Sequence, residues 1–159
     1  MFKQLAEREN EKERPITYYT PITNFPFVHK YRKAASKRAR LKYGDDELQI
    51  QIQVWEDSSL DYSKQKSGAA PNIVHSLDAV HLAMTVHDAD YPVTVVHDSF
   101  GCTAGNMNHM FVHVRQKFVE LYDLNPLEYV LNQMDSLDLI PKKGDLDVSE
   151  VLKSDFAFA

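Results

Sequence analysis

Alternating apolar and polar residues give the clearest structural signal in the chain. Residues 47–55 read Glu-Leu-Gln-Ile-Gln-Ile-Gln-Val-Trp, with the aliphatic side chains on one side and three glutamines on the other. Strict alternation of this length predicts a β-strand. Residues 92–97 are a shorter run rich in β-branched residues, and we expect it to end in a tight turn at residues 98–101 that leads into another short strand.

Apolar residues recur at helical spacing in two longer stretches. Residues 73–87 carry one such stripe and residues 106–124 carry another, and each stripe predicts an amphipathic helix. We expect a loop at residues 56–70, with Pro71 in the first turn of the helix that follows, where a missing N–H costs no hydrogen bond. The two stripes consist of Ile73, Leu77, Val80, Met84, Met110, Val114, Phe118 and Leu121.

Weaker patterns complete the set of predicted elements. Residues 2–13, 126–138 and 147–153 favour shorter helices. The prolines and aromatic residues of segment 16–31 favour extended or irregular chain. Helices mixed with a hairpin and separate strands predict an α+β fold, in which a small antiparallel hairpin is covered by helices.

Composition excludes several classes of protein. With 159 residues, 43% of them hydrophobic, the chain can form one domain with its own core, and global disorder is excluded. No apolar run approaches the roughly 18 residues of a membrane helix, and charges follow the N-terminus too closely for a secretion signal. The single cysteine, Cys102, cannot form an internal disulfide, which fits a reducing compartment.

Charge is distributed unevenly along the chain. Residues 30–42 hold seven of the 18 basic residues and no acidic one, whereas the whole chain has a net charge of −5. A basic segment on an acidic chain predicts a local contact with a polyanion such as nucleic acid, with Lys37, Arg38 and Arg40 as candidate contacts. The alternative is a solvated face, and the spacing of apolar residues does not decide between strand and helix here.

Two segments of the sequence contain candidate catalytic or ligand-binding residues. An apolar strand delivers Asp98 to a turn, and a carboxylate held there could bind a hard cation such as Mg²⁺. The alternative is that Asp98 only caps the turn. The segment that opens the helix at residue 73 carries polar side chains, including His75, near a helix N-terminus that suits phosphate. His75 could equally be a half-buried, hydrogen-bonded histidine.

Three motifs together resemble a known family. They are residues 67–82 (Ser-Gly-Ala-Ala-Pro-Asn-Ile-Val-His-Ser-Leu-Asp-Ala-Val-His-Leu), 96–101 (Val-His-Asp-Ser-Phe-Gly) and 154–159 (Ser-Asp-Phe-Ala-Phe-Ala). In this order they closely resemble the C-terminal part of the single-subunit, bacteriophage-type DNA-dependent RNA polymerases, which include mitochondrial and chloroplast enzymes. Residues 20–27 resemble the family's Thr-Pro-x-Gly-Phe-Pro element more weakly, with Asn24 in place of the usual glycine.

The resemblance implies a role for each matched residue. Asp98 matches the second of two catalytic aspartates of the polymerase palm, carried on the motif C hairpin, and would bind Mg²⁺. His97 matches a residue near the RNA 3′ end, and His75 matches a histidine beside the nascent base pair or the template–RNA duplex. The family's C-terminal foot, which ends close to the active site, is matched by Phe156, Phe158 and Ala159.

The resemblance also implies a mechanism and partners. The reaction would be nucleotidyl transfer with two Mg²⁺ ions, using a DNA template, nascent RNA and nucleoside triphosphates. The family's other palm aspartate and its nucleotide-binding fingers helix lie upstream of the matched motifs. We therefore expect residues 1–159 to be a single C-terminal fragment of the palm and fingers region that needs an upstream polypeptide. A split gene, a truncated gene and a piece of a longer chain all fit.

Two other functions are open at this point. The chain could be a non-catalytic nucleic-acid-binding remnant that acts through residues 30–42. A metal-dependent His-Asp phosphohydrolase is less favoured, because it would need His97 and Asp98 on a helix, and proline and β-branched residues surround them. If the chain is phage-encoded, we expect it in the cytoplasm of an infected host cell and away from membranes.

Overall fold

The computed structural model describes residues 1–44 and 46–158. Helices and strands are mixed along the chain, which confirms the predicted α+β class. Three short 3₁₀ segments lie at Ala104–Asn106, Leu137–Leu139 and Val148–Lys153. The α-helices and strands are α1 (Phe2–Glu11), β1 (Thr17–Tyr19), β2 (Pro26–Val28), β3 (Arg32–Tyr43), β4 (Asp46–Leu60), α2 (Tyr62–His87), β5 (Val93–Val96), β6 (Ser99–Cys102), α3 (Met107–Asp123) and α4 (Pro126–Asn132).

Each strand of the described residues pairs with its neighbour in the sequence. The pairs are β1–β2, β3–β4 and β5–β6, and the last two are antiparallel. Local pairing of this kind needs only short connections. The strands therefore form three separate two-stranded ribbons, and no larger sheet is built from the part of the chain that is described.

The chain divides into two compact units. Unit I consists mainly of residues 17–27 and the chain from residue 70 onward, and it contains β5, β6, α3 and α4. Unit II consists of residues 2–16 and 28–69, and it contains α1 and the β3–β4 hairpin. The division falls inside α2, one residue before Pro71.

The predicted loop at residues 56–70 is wrong, and so is the place of Pro71. Strand β4 continues to Leu60, α2 begins at Tyr62, and Pro71 lies in the interior of that helix. The true start signal is Asp61, whose Oδ1 accepts a hydrogen bond from the Lys64 backbone N–H at 3.1 Å. A proline at position 71 removes the bond to the Ser67 carbonyl. The proline ring also crowds that carbonyl.

The predicted stripes of α2 and α3 form the core of unit I. Val80 and Met84 of α2 pack in one cluster with Leu121 of α3, and Tyr122 covers its edge. The stripe residues of both helices are buried except Phe118, which is partly exposed. The helical spacing therefore identified both helices and the faces that they bury.

Unit II is organised around a buried amide. The Gln65 side chain is fully buried, and its Nε2 donates to Asn10 Oδ1 at 2.8 Å and to the Arg14 carbonyl at 3.2 Å. Its Oε1 accepts the Ile16 backbone N–H at 3.3 Å. These bonds satisfy the amide on both sides and tie the N-terminal segment to the first turns of α2.

The remaining helical predictions hold in shorter form. The helix expected at residues 126–138 ends at Asn132, and the segment at 147–153 is 3₁₀ rather than α. The N-terminal segment is helical over Phe2–Glu11, as expected. Within the described part of the chain, no helix combines the length and the apolar character of a membrane span.

Replacement of Leu121 by alanine tests the core of unit I. Leu121 is fully buried against α2, so Leu121→Ala should lower the free energy of unfolding by about 2–5 kcal/mol. Leu124→Ala is the matched control, because Leu124 lies just beyond the end of the same helix and is mostly exposed; it should cost less than about 0.5 kcal/mol. Urea denaturation measures both, and equal costs would contradict this packing.

Candidate active site

The β5–β6 hairpin carries two of the predicted site residues, His97 and Asp98, in its turn. Its register pairs Val96 with Ser99, which leaves His97 and Asp98 as a two-residue turn. His97 adopts a left-handed conformation with φ of 55°, which a tight antiparallel turn commonly requires. Both side chains are exposed at the hairpin tip.

Gly101 lies in strand β6 and not in a turn. The predicted turn at residues 98–101 is wrong beyond Asp98, because residues 99–101 belong to β6. Gly101 lies opposite Thr94, and a Cβ atom at this position would meet Thr94 Cγ2 at 2.9 Å. The glycine therefore allows close cross-strand packing and does not reverse the chain.

A cavity of about 680 Å³ in unit I joins three of the predicted site residues. His97 and Asp98 reach it from the hairpin, and His75 reaches it from α2. Asp78, one turn after His75, lines it as well. The exposed position of His75 excludes the half-buried alternative for this side chain.

The C-terminal tail forms another wall of this cavity through Phe158. Its ring stacks on His81 with centroids 5.6 Å apart and an interplanar angle of 28°. His81 also meets Phe100 of the hairpin at 5.9 Å and Phe118 of α3 at 5.7 Å, both edge-on. One imidazole therefore contacts the hairpin, α3 and the tail.

Burial in this cluster disfavours the charged form of His81. Burial lowers the pKa of His81, although the Val114 carbonyl and the charge of Asp78 act in the opposite direction. The Nε2 atom lies 2.9 Å from the Val114 carbonyl, which can only accept a hydrogen bond, so Nε2 carries the proton.

Arg115 fixes the start of the tail. It is only 2% exposed, and its Nη2 donates to the carbonyls of Ser154 and Asp155 at 3.3 and 3.5 Å. Its Nη1 donates to the Phe111 carbonyl at 2.8 Å, and the guanidinium lies over the Phe111 ring, 3.3 Å from the centroid. The sequence reasoning missed Arg115; the signal was its place among Phe111, Phe118 and Tyr122 at helical spacing.

A second cavity, of about 590 Å³, lies on the Arg115 side of the hairpin. Asp98, Phe100 and Phe158 line both cavities, so the hairpin tip and the tail stand between them. Of the expected foot residues, Phe158 packs in this way, whereas Phe156 is 86% exposed. Ala159 lies outside the described residues.

The basic segment forms most of β3, an exposed strand of unit II. Its cross-strand partners are Gln51 for Arg38, Gln49 for Arg40 and Ile52 for Lys37. Successive side chains of a strand alternate between faces, so the two arginines share a polar face and Lys37 lies on the opposite, partly apolar one. The structure thus brings together only two of the three predicted contacts.

Comparison with known proteins identifies the family. The family model described as DNA-dependent RNA polymerase matches residues 2–137. The chain belongs to the DNA-dependent RNA polymerase family. This finding confirms the family that the sequence motifs indicated.

Individual relatives come from phages and plants. The DNA-directed RNA polymerase of Enterobacteria phage T3 is 36% identical over 99% of this chain, and T7 RNA polymerase of Escherichia phage T7 is 33% identical over 93%. The chain spans about a fifth of the length of these curated relatives. DNA-directed RNA polymerase 1A of Nicotiana tabacum is 33% identical, and the match covers 92% of this chain and 97% of that protein.

In this polymerase chain, removal of the Arg115 side chain should release the tail. Arg115→Ala deletes the donors to the Ser154 and Asp155 carbonyls, so carboxypeptidase should remove the C-terminal residues several-fold faster. Lys117→Ala is the control, because Lys117 lies on the same helix but pairs with Asp88 and Glu120. Equal digestion of the unmodified chain and the Arg115 variant would show that other contacts hold the tail.

Proposed function

We propose that this chain forms the C-terminal part of the catalytic centre of a DNA-directed RNA polymerase. The observation that carries the proposal is the shared cavity, into which the hairpin turn delivers His97 and Asp98 opposite His75. In this proposal β5–β6 is the palm hairpin, and residues 1–159 are one fragment of the palm and fingers region. Membership of the polymerase family supports this assignment.

The side chains present fit Mg²⁺ as part of a ligand set. Mg²⁺ is commonly bound by one or two carboxylates together with waters and substrate phosphates. Asp98 offers one exposed carboxylate, and Asp78 lines the same cavity. The described residues contain no group of three or more metal-ligating side chains, so Asp98 would share the ion with ligands from elsewhere in the enzyme.

The residues of this chain would bind and orient the reactants. The chemistry that two Mg²⁺ ions supply when bound is activation of the RNA 3′ hydroxyl and neutralisation of the triphosphate and pyrophosphate. Asp98 would hold an ion at a fixed place because the turn that carries it is only two residues long. His97 would orient the RNA 3′ end beside it, and His75 would contact the template–RNA duplex from the α2 side of the cavity.

The partners in this proposal are a DNA template, nascent RNA, nucleoside triphosphates and the remaining part of the polymerase. The larger relatives are about five times as long as this chain. Asp98 alone provides too few ligands for Mg²⁺. We therefore expect the upstream polypeptide to supply a second carboxylate and the nucleotide-binding helix. Purified alone, the chain should make no RNA.

Asp98→Asn tests the catalytic assignment in an enzyme reconstituted with the upstream polypeptide. The change keeps the shape of an exposed side chain and removes its charge, so folding should survive. RNA synthesis should fall by several orders of magnitude, with each tenfold loss corresponding to about 1.4 kcal/mol in the barrier. Template-directed nucleotide incorporation is the measurement.

The control for this variant is Asp123→Asn. Asp123 is exposed at the end of α3 and does not line the described cavities, whereas Asp78 shares the cavity with Asp98 and is unsuitable. His97→Ala should lower RNA synthesis by an intermediate amount, because the His97 side chain would position the RNA 3′ end without binding the ion. If Asp98→Asn kept near-normal synthesis, Asp98 would be a turn residue only.

A second part of the proposal concerns the β3–β4 hairpin, which would contact nucleic acid through its polar face. A two-stranded ribbon can enter the major groove of DNA. The face that carries Arg38 and Arg40 also carries Gln49 and Gln51, and arginine and glutamine side chains pair well with base edges and phosphates. Arg40 is only loosely paired with Glu47, at 3.8 Å between exposed groups, so its charge remains available.

Charge removal on the two faces tests this contact. Arg38→Ala with Arg40→Ala should weaken binding of duplex DNA and flatten its salt dependence by roughly one unit of slope per lost phosphate contact. Lys37→Ala on the opposite face should have a smaller effect. Fluorescence anisotropy over a series of salt concentrations measures both. Unchanged affinity and slope in the double variant would make the segment a solvated face.

The same measurements separate the catalytic proposal from a non-catalytic one. Salt-dependent binding that persists while the reconstituted enzyme gives no Asp98-dependent synthesis would favour a nucleic-acid-binding remnant. The specific observation behind this alternative is the exposed basic hairpin, which lies in unit II, whereas Asp98 lies in unit I.

A further inference from the structure

A cavity of about 400 Å³ lies in unit II at the end of the β3–β4 hairpin opposite its turn. Its lining residues are distinct from those proposed for catalysis and from Arg38 and Arg40. Its volume falls within the roughly 300–1,000 Å³ that binding sites for small groups occupy. The described residues that line it are three cationic and two aromatic side chains: Lys30, Tyr31, Arg32, Trp55 and Lys64.

Trp55 presents a partly exposed indole ring to this cavity. The side chain is 55% exposed, although burial of an aromatic ring of this size is strongly favourable. Its cross-strand partner is Ala34, whose methyl group is too small to cover the ring. By strand alternation Trp55 lies on the polar face of the hairpin, the face that carries Arg38 and Arg40.

Three cationic side chains line the cavity with the indole. Lys64 Nζ lies 5.9 Å from the centroid of the Trp55 ring, within the range of a cation–π contact. Lys64 is also paired with Asp61 at 3.6 Å, but both side chains are partly exposed, which leaves the pair open to exchange with another anion. Lys30 and Arg32 add two further cations to the wall.

We propose that this cavity binds single-stranded nucleic acid, with one base stacked on Trp55 and neighbouring phosphates on the three cations. An aromatic platform inside a positively charged groove is the arrangement that recognises unpaired strands independently of sequence. In a duplex the base faces are already stacked on each other, so they are closed to the indole. The proposal rests on the proposed contact of the hairpin with nucleic acid and extends it to an unpaired strand.

The fluorescence of Trp55 provides a direct test, because the sequence contains one tryptophan. The full chain is titrated with oligothymidylate about 12 nucleotides long, which is within the usual site size. Stacking should quench and shift the emission. Heparin carries the charge without bases and should change the emission little at equal occupancy, and a duplex of equal length should also change it little. An equal response to heparin would overturn the proposal.

Variants separate the ring from the charges, with binding followed by the anisotropy of a labelled oligonucleotide. Trp55→Ala should weaken binding about tenfold, whereas Trp55→Phe, which keeps a ring, should recover most of the loss. Lys64→Ala should lower the slope of log affinity against log salt by about 0.7. Lys66→Ala is the matched control on the same helix, because Lys66 pairs with Glu7 and does not line the cavity.

The outcomes also distinguish this inference from the proposed function. If oligothymidylate and duplex bind through Arg38 and Arg40 but Trp55→Ala changes nothing, the stacking site is refuted and the hairpin contact stands. If neither nucleic acid binds, the hairpin contact itself fails. Oligouridylate identifies the strand chemistry: tighter binding than oligothymidylate indicates RNA, and equal binding indicates that the cavity accepts either strand.

Discussion

The hydrogen bond between His81 and the Val114 carbonyl, together with the bond between His113 and the Thr85 carbonyl, sets the arrangement of unit I. The His81 bond joins α2 to α3 inside a cluster of aromatic rings from the hairpin, from α3 and from the tail. A buried polar group without a partner costs roughly 1–3 kcal/mol, so these bonds select one relative placement of the two helices. Since Phe100 and Phe158 pack on the same imidazole, that placement also sets the hairpin that carries Asp98.

On the other side of the hairpin, Arg115 fixes the position of the C-terminal tail. A buried guanidinium is costly unless its donors are satisfied. Three backbone carbonyls and the face of Phe111 provide part of that compensation, whereas Nε has no hydrogen-bond partner among the described residues. Two of the carbonyls belong to Ser154 and Asp155, so this one buried side chain holds the start of the tail by polar contacts. The exposed Phe156 shows that hydrophobic burial alone does not hold this segment.

Periodic sequence patterns predicted the buried helix faces, the strand at residues 47–55 and the β5–β6 hairpin, because burial on one face imposes a fixed spacing. The start of α2 was mispredicted because proline is favoured in a first turn, and that preference outweighed the weaker signal of the Asp61 cap. Arg115 and Trp55 escaped notice for another reason. Their surroundings come from segments far apart in the sequence, or from a small partner such as Ala34, which no local pattern encodes.

Exposure of Asp98 is consistent with binding a strongly hydrated cation. A carboxylate buried before its metal arrives would pay a desolvation penalty, whereas one at the tip of a two-residue turn keeps its water until it is exchanged. The hairpin strands provide rigidity by cross-strand bonds and by the close Thr94–Gly101 packing. The apolar Val95 and Val96 nevertheless remain exposed on the strand that leads to this turn. The hairpin therefore fixes the position of the charge while part of its own apolar surface stays exposed.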